Sequence, residues 1–378
     1  MLLCNSEKSV REVRILVLSK RRYMNKDLLS DRYGRFYEIP NMLVRKGHDV
    51  KGIALSYRKS EDSFCQWRKF SGCEWLALSA IPWGALRYAS LVKKALGPWK
   101  PDLIWSASDS IHAGLGVWMK RTLGCPLVID LYDNFESYGL NRIPGVTRLL
   151  RYACRVADGL TTVSQSLKCY AAENYRVSCP MAVIGNGVPE EVFYPRDRRQ
   201  SRSMLGLPLD AMLVGTAGAI MSNRGIEDLF RAFLMLAEKK KNVWLVYAGP
   251  RDATPARYVH ERVVDLGVLS YDRIPFLFSA LDVGVICNQD ASFGKYCFPQ
   301  KFYEMLACRL PVVAAATGDL AGMLRDYPVH TYRPGNVQEL HEHVDSLLER
   351  PSLPPIAVRS WEFEGQGLEK FLHTIDGS

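Results

Sequence analysis

The chain has 378 residues, 24% charged and 48% apolar, with 49 Lys+Arg against 40 Asp+Glu and a net charge of +9. That length exceeds one ordinary core and predicts two domains, while the composition is that of a soluble globular protein. No run approaches the roughly 18 apolar residues of a membrane-spanning helix, and ten scattered cysteines without a Cys-x-x-Cys pair exclude a zinc or disulfide framework and fit a reducing cytosol. The opening MLLCNSEKSVREVRILVLS has no long apolar stretch and no cleavage-site pattern, so no signal peptide is expected. Residues 1–190 hold 28 Lys+Arg and 17 Asp+Glu, a balance of +11, and residues 191–378 hold 21 and 23, a balance of −2. A one-sided field of this kind attracts anionic partners such as an acidic membrane surface.

In chain order, Val13–Ser19 reads as a buried strand, followed by a helix over Gly34–Lys46 with Phe36, Ile39, Leu43 and Val44 at helical spacing. Asp49–Leu55, Leu103–Ser106, Leu127–Leu131 and Leu160–Val163 are further strands separated by helix-length segments. Between them, Ala80–Lys100 carries Trp83, Leu86, Tyr88, Leu91 and Trp99 with Arg87, Lys93 and Lys94, the pattern of a basic amphipathic helix suited either to a core face or to a membrane interface. A linker is expected near Asn186–Gly206, with a positive-φ turn at Asn186-Gly187. The second half repeats the plan. Strands are expected at Met212–Ala217, Val243–Ala248, Val283–Cys287 and Pro311–Ala315, with helices at Ile226–Lys239, Pro275–Ala280 and Lys301–Cys308. Ser360–Ile375 reads as a terminal helix that Gly365 and Gly367 make dependent on packing. Alternating strands and helices predict two open, parallel, doubly wound α/β sheets, with ligands at the carboxyl ends of the strands.

Chemistry concentrates in the second half. In Gly218–Gly225 (GAIMSNRG), a glycine after a strand lets backbone approach a ligand, a helix N-terminus follows, and Arg224 is placed to clamp a phosphate. In Phe298–Ala315 (FPQKFYEMLACRLPVVAA), Lys301 and Glu304 share a helix face: a carboxylate that accepts from a ribose diol and a cation that balances a pyrophosphate. In the first half, Asp133, Asn134 and Glu136 lie in Val128–Glu136 (VIDLYDNFE) at the end of a strand, and His112 lies after the preceding strand.

Several of these segments resemble glycosyltransferase family 4, retaining enzymes of GT-B fold. They are Pro299–Glu304 in the form Pro-x-Lys-x-x-Glu, the run TTVSQSL followed by VIGNGVPEEVFYP, and Trp361-Glu362 at the last helix. The resemblance implies a GT-B fold of two Rossmann-like domains facing a central cleft: 1–190 for the acceptor, 191–358 for the nucleotide sugar, and a helix at 359–378 returning to the first domain. It implies a hexosyltransferase that needs no metal and no cofactor and uses a UDP- or GDP-linked sugar as donor. The implied acceptor is a glycan or lipid-linked, in surface polysaccharide or glycoconjugate synthesis, and the implied setting is cytoplasmic and peripheral on the inner membrane face. Nucleic acid is not an expected partner. The implied donor-binding residues are Gly218, Arg224, Lys301, Glu304, Tyr296 and Phe298, with Gly34, Tyr132 and Asn134 on the acceptor side and Asp133, Glu136 and His112 as catalytic candidates. The chain departs from the family pattern at Tyr296 (usually Glu), Ala219 (usually a cation) and Tyr132 (usually His). These departures keep open a weakened, scaffold-like protein, and a nucleotide-sugar epimerase of the same fold is the third alternative.

Overall fold

The computed structural model describes residues 12–23, 26–58, 64–81 and 84–376. They form two compact units, one of residues up to Gly185 together with the last segment from Trp361, the other of Asn186–Ser360. The expected linker at 186–206 therefore lies inside the second unit, and part of it is helical. Neither Asn186 nor Gly187 has a positive φ, a correction to the expected turn; Asn186 is buried instead.

The first unit begins with β1 (Arg14–Lys20), whose centre Ile15–Leu18 is almost wholly buried, then a short hairpin of β2 (Arg22–Tyr23) and β3 (Lys26–Asp27). It continues through α1 (Arg35–Arg45), β4 (Asp49–Ser56), β5 (Phe64–Phe70), β6 (Cys73–Ser79) and α2 (Gly84–Leu96). Next come β7 (Leu103–Ala107), α3 (Ser110–Leu123), β8 (Leu127–Leu131) and α4 (Val146–Val156). The last elements before the crossover are β9 (Gly159–Thr162), α5 (Gln165–Tyr175) and β10 (Met181–Val183). The sheet order is β10-β9-β8-β7-β1-β4-β6-β5, parallel except for the edge strand β5. Right-handed crossovers put α1 on one face of this sheet and α2, α3, α4 and α5 on the other. Ser164 caps α5 as its sequence suggests, accepting from the Leu167 N–H at 3.1 Å.

The second unit holds α6 (Arg198–Met204), β11 (Met212–Ala217), α7 (Glu227–Lys239), β12 (Val243–Ala248), β13 (Val263–Asp265) and α8 (Ile274–Ala280). After them come β14 (Val283–Ile286), α9 (Ser292–Tyr296), α10 (Lys301–Ala307), β15 (Val312–Ala315), α11 (Gly318–Met323), β16 (Thr331–Tyr332) and α12 (Val337–Glu349). Its sheet is wholly parallel, in the order β13-β12-β11-β14-β15-β16. Phe230, Phe233, Leu245 and Val285 belong to its core.

The final helix, α13 (Trp361–Asp376), belongs to the first unit and packs on α1. A Cβ at Gly365 would overlap the Met42 side chain, so the glycine that weakens the isolated helix is what lets it approach α1. Beside it lies a buried network. Arg35 donates to both oxygens of Asp130 at 2.8 and 2.7 Å and to the Gly185 carbonyl at 2.6 Å. Thr161 donates to Asp130 at 2.6 Å, and the Gly185 N–H donates to Glu364 on α13. Both members of the Arg35–Asp130 pair are fully buried, so removing one alone leaves an uncompensated charge, at a cost of about 3–5 kcal/mol.

Candidate functional site

In the second unit the carboxyl ends of β11, β12 and β14 and the start of α10 gather the polar residues. Gly218 follows β11 with φ 115°, and its N–H donates to the Ala248 carbonyl. A Cβ at Gly249, just after β12, would overlap the Gly218 carbonyl, so two glycines bring these strand ends into backbone contact. A Cβ on Gly218 would lie 3.1 Å from the Lys301 Nζ. The Lys301 ammonium therefore sits over the bare backbone at the end of β11, with burial pushing its pKa down and the charge of Glu304 opposing that. Glu304, one turn further along α10, is 7% exposed, and the Gln300 side-chain amide donates to it at 3.0 Å. Burial raises its pKa to about 7 against the pull of Lys301. Arg224 ends a 3-10 turn (Ser222–Arg224) and is close enough for its charge to be felt at Lys301. The Gln289 side chain holds the same loop through the Ser222 carbonyl at 2.9 Å. This arrangement supplies two cations, a buried carboxylate and an approachable backbone, the complement of a diphosphate joined to a diol.

Two expected donor residues sit differently. Phe298 is buried with its ring against Phe302 and Tyr303, where it packs the start of α10. Tyr296 is the last residue of α9, at intermediate exposure. The N-terminus of α7 carries Glu227 and Asp228, which oppose rather than attract an anion there.

In the first unit the polar residues collect where β1, β4, β7 and β8 end. Ser108 has φ 112°, a strained value for a residue with a side chain. Its hydroxyl accepts from the Lys20 N–H at 2.8 Å and donates to the Ser19 hydroxyl at 3.1 Å. Lys20 Nζ donates to the Tyr132 hydroxyl at 2.9 Å and the Ser108 carbonyl at 3.3 Å, and burial lowers its pKa. Asp109 caps α3 by accepting from the His112 N–H at 2.9 Å and meets the imidazole Nδ1 at 3.1 Å. The Tyr57 hydroxyl lies 3.0 Å from the same nitrogen. Burial works to raise the Asp109 pKa, but His112 and Lys20 hold it at about 2. His112 is fully buried, and its Nε2 has no hydrogen-bond partner among the described residues.

Tyr132 thus stands beside Lys20 in this cluster, and Gly34 caps α1 with φ 79° after the β1 loop. Asp133 is buried and accepts from the Tyr138 hydroxyl, and Asn134 accepts from the Glu136 N–H to cap a short turn. Glu136 corrects the expectation of a catalytic carboxylate: one oxygen takes Arg151 of α4 at 2.8 Å and the other takes the Tyr170 hydroxyl of α5 at 2.6 Å, so it is a brace between helices. Lys20, Tyr57, Ser108, Asp109 and Gly249 escape a motif search. Asp109 three residues before His112 at a helix start is a capping signal in the sequence, and Gly249 closes an apolar strand. Among the described residues His48, Glu369 and His373 also cluster, their ligating atoms within 4.8 Å of one another. The Val13 N–H donates to His48 Nδ1, which leaves the ring proton on the nitrogen facing Glu369 and opposes a metal there.

Residues 35–192 match the Glycosyltransferase Family 4 profile, and residues 197–358 match the Glycosyl transferases group 1 profile. The chain belongs to glycosyltransferase family 4. A D-inositol 3-phosphate glycosyltransferase of Stackebrandtia nassauensis is 31% identical over 189 residues, 45% of this chain and 41% of that protein, so the match spans under half of the relative's length. Among solved structures, sucrose-phosphate synthase from Thermosynechococcus elongatus aligns with a TM-score of 0.73 at 17% identity, over 97% of this family 4 chain and 96% of its own. Anabaena HepE in complex with UDP-glucose aligns with a TM-score of 0.65 at 18% identity, over 97% and 98%. The fold is GT-B: two parallel-sheet α/β domains with a C-terminal helix.

Proposed function

We propose that this chain is a retaining, metal-independent glycosyltransferase. It moves a sugar from a nucleoside diphosphate sugar to a glycan or lipid-linked acceptor, in surface polysaccharide or glycoconjugate synthesis. The observation that carries the proposal is the Lys301 ammonium over the bare Gly218 backbone, with the buried carboxylate of Glu304 one helical turn away. Glu304 accepts from the ribose hydroxyls, Lys301 and Arg224 balance the diphosphate, and backbone at Gly218 and Gly249 approaches the phosphates. A uridine carrier is favoured because HepE, which shares the fold, is recorded with UDP-glucose. The polar cluster of Lys20, Tyr132, Asp109 and His112 receives the acceptor or the transferred sugar. The leaving phosphate takes the acceptor proton on the face it departs from, so catalysis rests on positioning and charge stabilisation.

The test is a thermal-shift screen with UDP, GDP, ADP and TDP and their sugar conjugates, repeated on Glu304→Ala. A ligand bound only by the folded state raises the melting temperature. One nucleotide that stabilises the wild type and not the variant supports the donor site and names the carrier; no stabilisation by any of them overturns it. A second reading, a weakened GT-B scaffold, is favoured by Glu136 and Asp133 being engaged with Arg151 and Tyr138. Nucleotide binding without hydrolysis or transfer of any conjugate would establish that reading.

A further inference from the structure

We propose that Tyr271 and Gln300 are positioning residues: they hold the Glu304 carboxylate where it meets both hydroxyls of a ribose, and so make the second unit selective for ribonucleotides over 2′-deoxyribonucleotides. This rests on the reading of Glu304 as the ribose-binding group and names what aligns it.

Glu304 is a long side chain in a closed setting, and its own rotamers leave open where its oxygens point. Two neutral groups settle that. Gln300 stands one turn earlier, at the position before α10, with φ −49° and ψ −37°, so it already lies on the helix path and shares a face with Glu304. Its carbonyl accepts from the Glu304 N–H at 3.3 Å, and its side-chain amide donates to Glu304 Oε1 at 3.0 Å. The second group comes from another stretch of the chain. Tyr271 opens the 3-10 turn Tyr271–Arg273 that runs into α8, and its hydroxyl hydrogen-bonds the same carboxyl group. The Tyr271 ring is held independently, edge-on to the buried Phe193 with centroids 5.3 Å apart, and Phe193 in turn meets Phe278 of α8.

These two partners determine what is left for a ligand. An ionised carboxylate has two oxygens and about four acceptor sites. Gln300 and Tyr271 fill part of that capacity, and the remainder, about two sites, is what a 2′,3′-diol uses. Both partners are neutral, so they orient the carboxylate without cancelling its charge. Lys301, the cation on the same helix, is turned to the Gly218 backbone. Burial favours the protonated form of Glu304; the charge of Lys301 and then the Gln300 and Tyr271 hydrogen bonds oppose it and hold the group at about 7. Orientation fixed before the ligand arrives is not charged against binding. Gln338 and Glu342 on α12 make the same one-turn pair at 2.6 Å in an exposed setting, and they serve as the internal comparison.

The test is calorimetric titration of the full chain with UDP against 2′-deoxy-UDP, and with GDP against 2′-deoxy-GDP, from pH 5.5 to 8.5. Gln300→Met and Tyr271→Phe are compared with the wild type and Glu304→Ala, with Gln338→Met as control. The wild type is expected to bind one ribonucleotide at least about tenfold tighter than its 2′-deoxy form. Gln300→Met and Tyr271→Phe are expected to lose most of that ratio, through weaker ribonucleotide binding with the 2′-deoxy form little changed, and Gln338→Met to keep it. Each lost hydrogen bond favoured the charged carboxylate, so in both variants the fall in affinity on acidification is expected to begin at a higher pH than in the wild type. Tyr271→Phe leaves the ring on Phe193 and Gln300→Met keeps the side-chain length, so melting temperatures near the wild type are expected. A wild-type ratio and pH dependence in either variant overturns the assignment of that residue. Equal weakening of both sugars also overturns it, because it marks a structural role. Failure of the wild type to bind any of the nucleotides, or binding that ignores Glu304→Ala, overturns the donor-site reading and this inference with it. Binding that needs Glu304 but keeps its ratio in both variants overturns the inference alone.

Discussion

Glu304 sets a pH signature at the proposed donor half-site. Its raised pKa means that the folded protein holds a proton that the unfolded chain releases near pH 4.5. The stabilisation from that proton is complete below pH 4.5 and lost as pH rises through about 7. Glu304→Gln, neutral throughout, is therefore expected to melt higher than the wild type at pH 8.5 and level with it at pH 4.5. In the proposed donor site ribose hydroxyls donate to the ionised carboxylate, so nucleotide affinity is expected to fall below pH 7, by up to about tenfold per unit, and to flatten in the glutamine variant. Calorimetric titration from pH 5.5 to 8.5 checks this. His112 gives a second prediction at this scale. His112→Asn keeps a polar group near Asp109 and deletes the unpartnered Nε2, and it is expected to cut turnover at least about tenfold with little change in melting. Equal initial rates would make that nitrogen idle. Lys301 and Glu304 were legible as a pair because their spacing mirrors a helix face, whereas the approach of Gly218 and Arg224 to them, from some 80 residues away, comes only with the fold. The first unit's cluster was not legible, because Lys20, Tyr57, Asp109 and Tyr132 meet only through the sheet. Glu136 was misread because position after a strand does not reveal that Arg151 and Tyr170 occupy its oxygens.

Among the elements, α13 depends on a missing side chain. Gly365→Ala drives a methyl group into Met42, and a loss of about 1–3 kcal/mol is expected despite the better helix propensity of alanine. Met42→Ala should cost stability alone yet recover part of the Gly365→Ala loss, a coupling that a double-mutant cycle by denaturant melting measures. The central strands announced themselves as apolar runs because parallel strands are covered on both faces, and Leu127–Leu131 and Met212–Ala217 fall where the sequence puts them. The edge strand β5 (FCQWRKF) did not, because Gln66, Arg68 and Lys69 look like a loop in a linear reading. The short β13 and β16 add only a few residues to a sheet edge and carry no period of their own.

For the whole molecule, activity is expected to survive EDTA, because in the proposed donor site protein cations neutralise the diphosphate; loss on chelation with rescue by Mn²⁺ or Mg²⁺ would overturn this. The two-unit division was legible as a repeated strand–helix plan. What no linear reading supplies is the buried knot of Arg35, Asp130, Gly185 and Glu364, whose members are brought together from four distant stretches. Arg35→Met alone is expected to cost about 3–5 kcal/mol, and Arg35→Met with Asp130→Leu clearly less than the sum of the two single changes. The knot also imposes an order in time. Domains fold as they leave the ribosome, at roughly 5–20 residues per second. The first unit's sheet is complete by Val183, but Glu364 emerges only after the whole second unit has been made. For about 10–35 seconds the nascent chain carries a sheet whose α1 face lacks its last helix, with the Gly185 N–H unclaimed. A ribosome-bound chain stalled before Trp361 is thus the form most exposed to chaperones and proteases, and synthesis speed through the second unit becomes a determinant of yield.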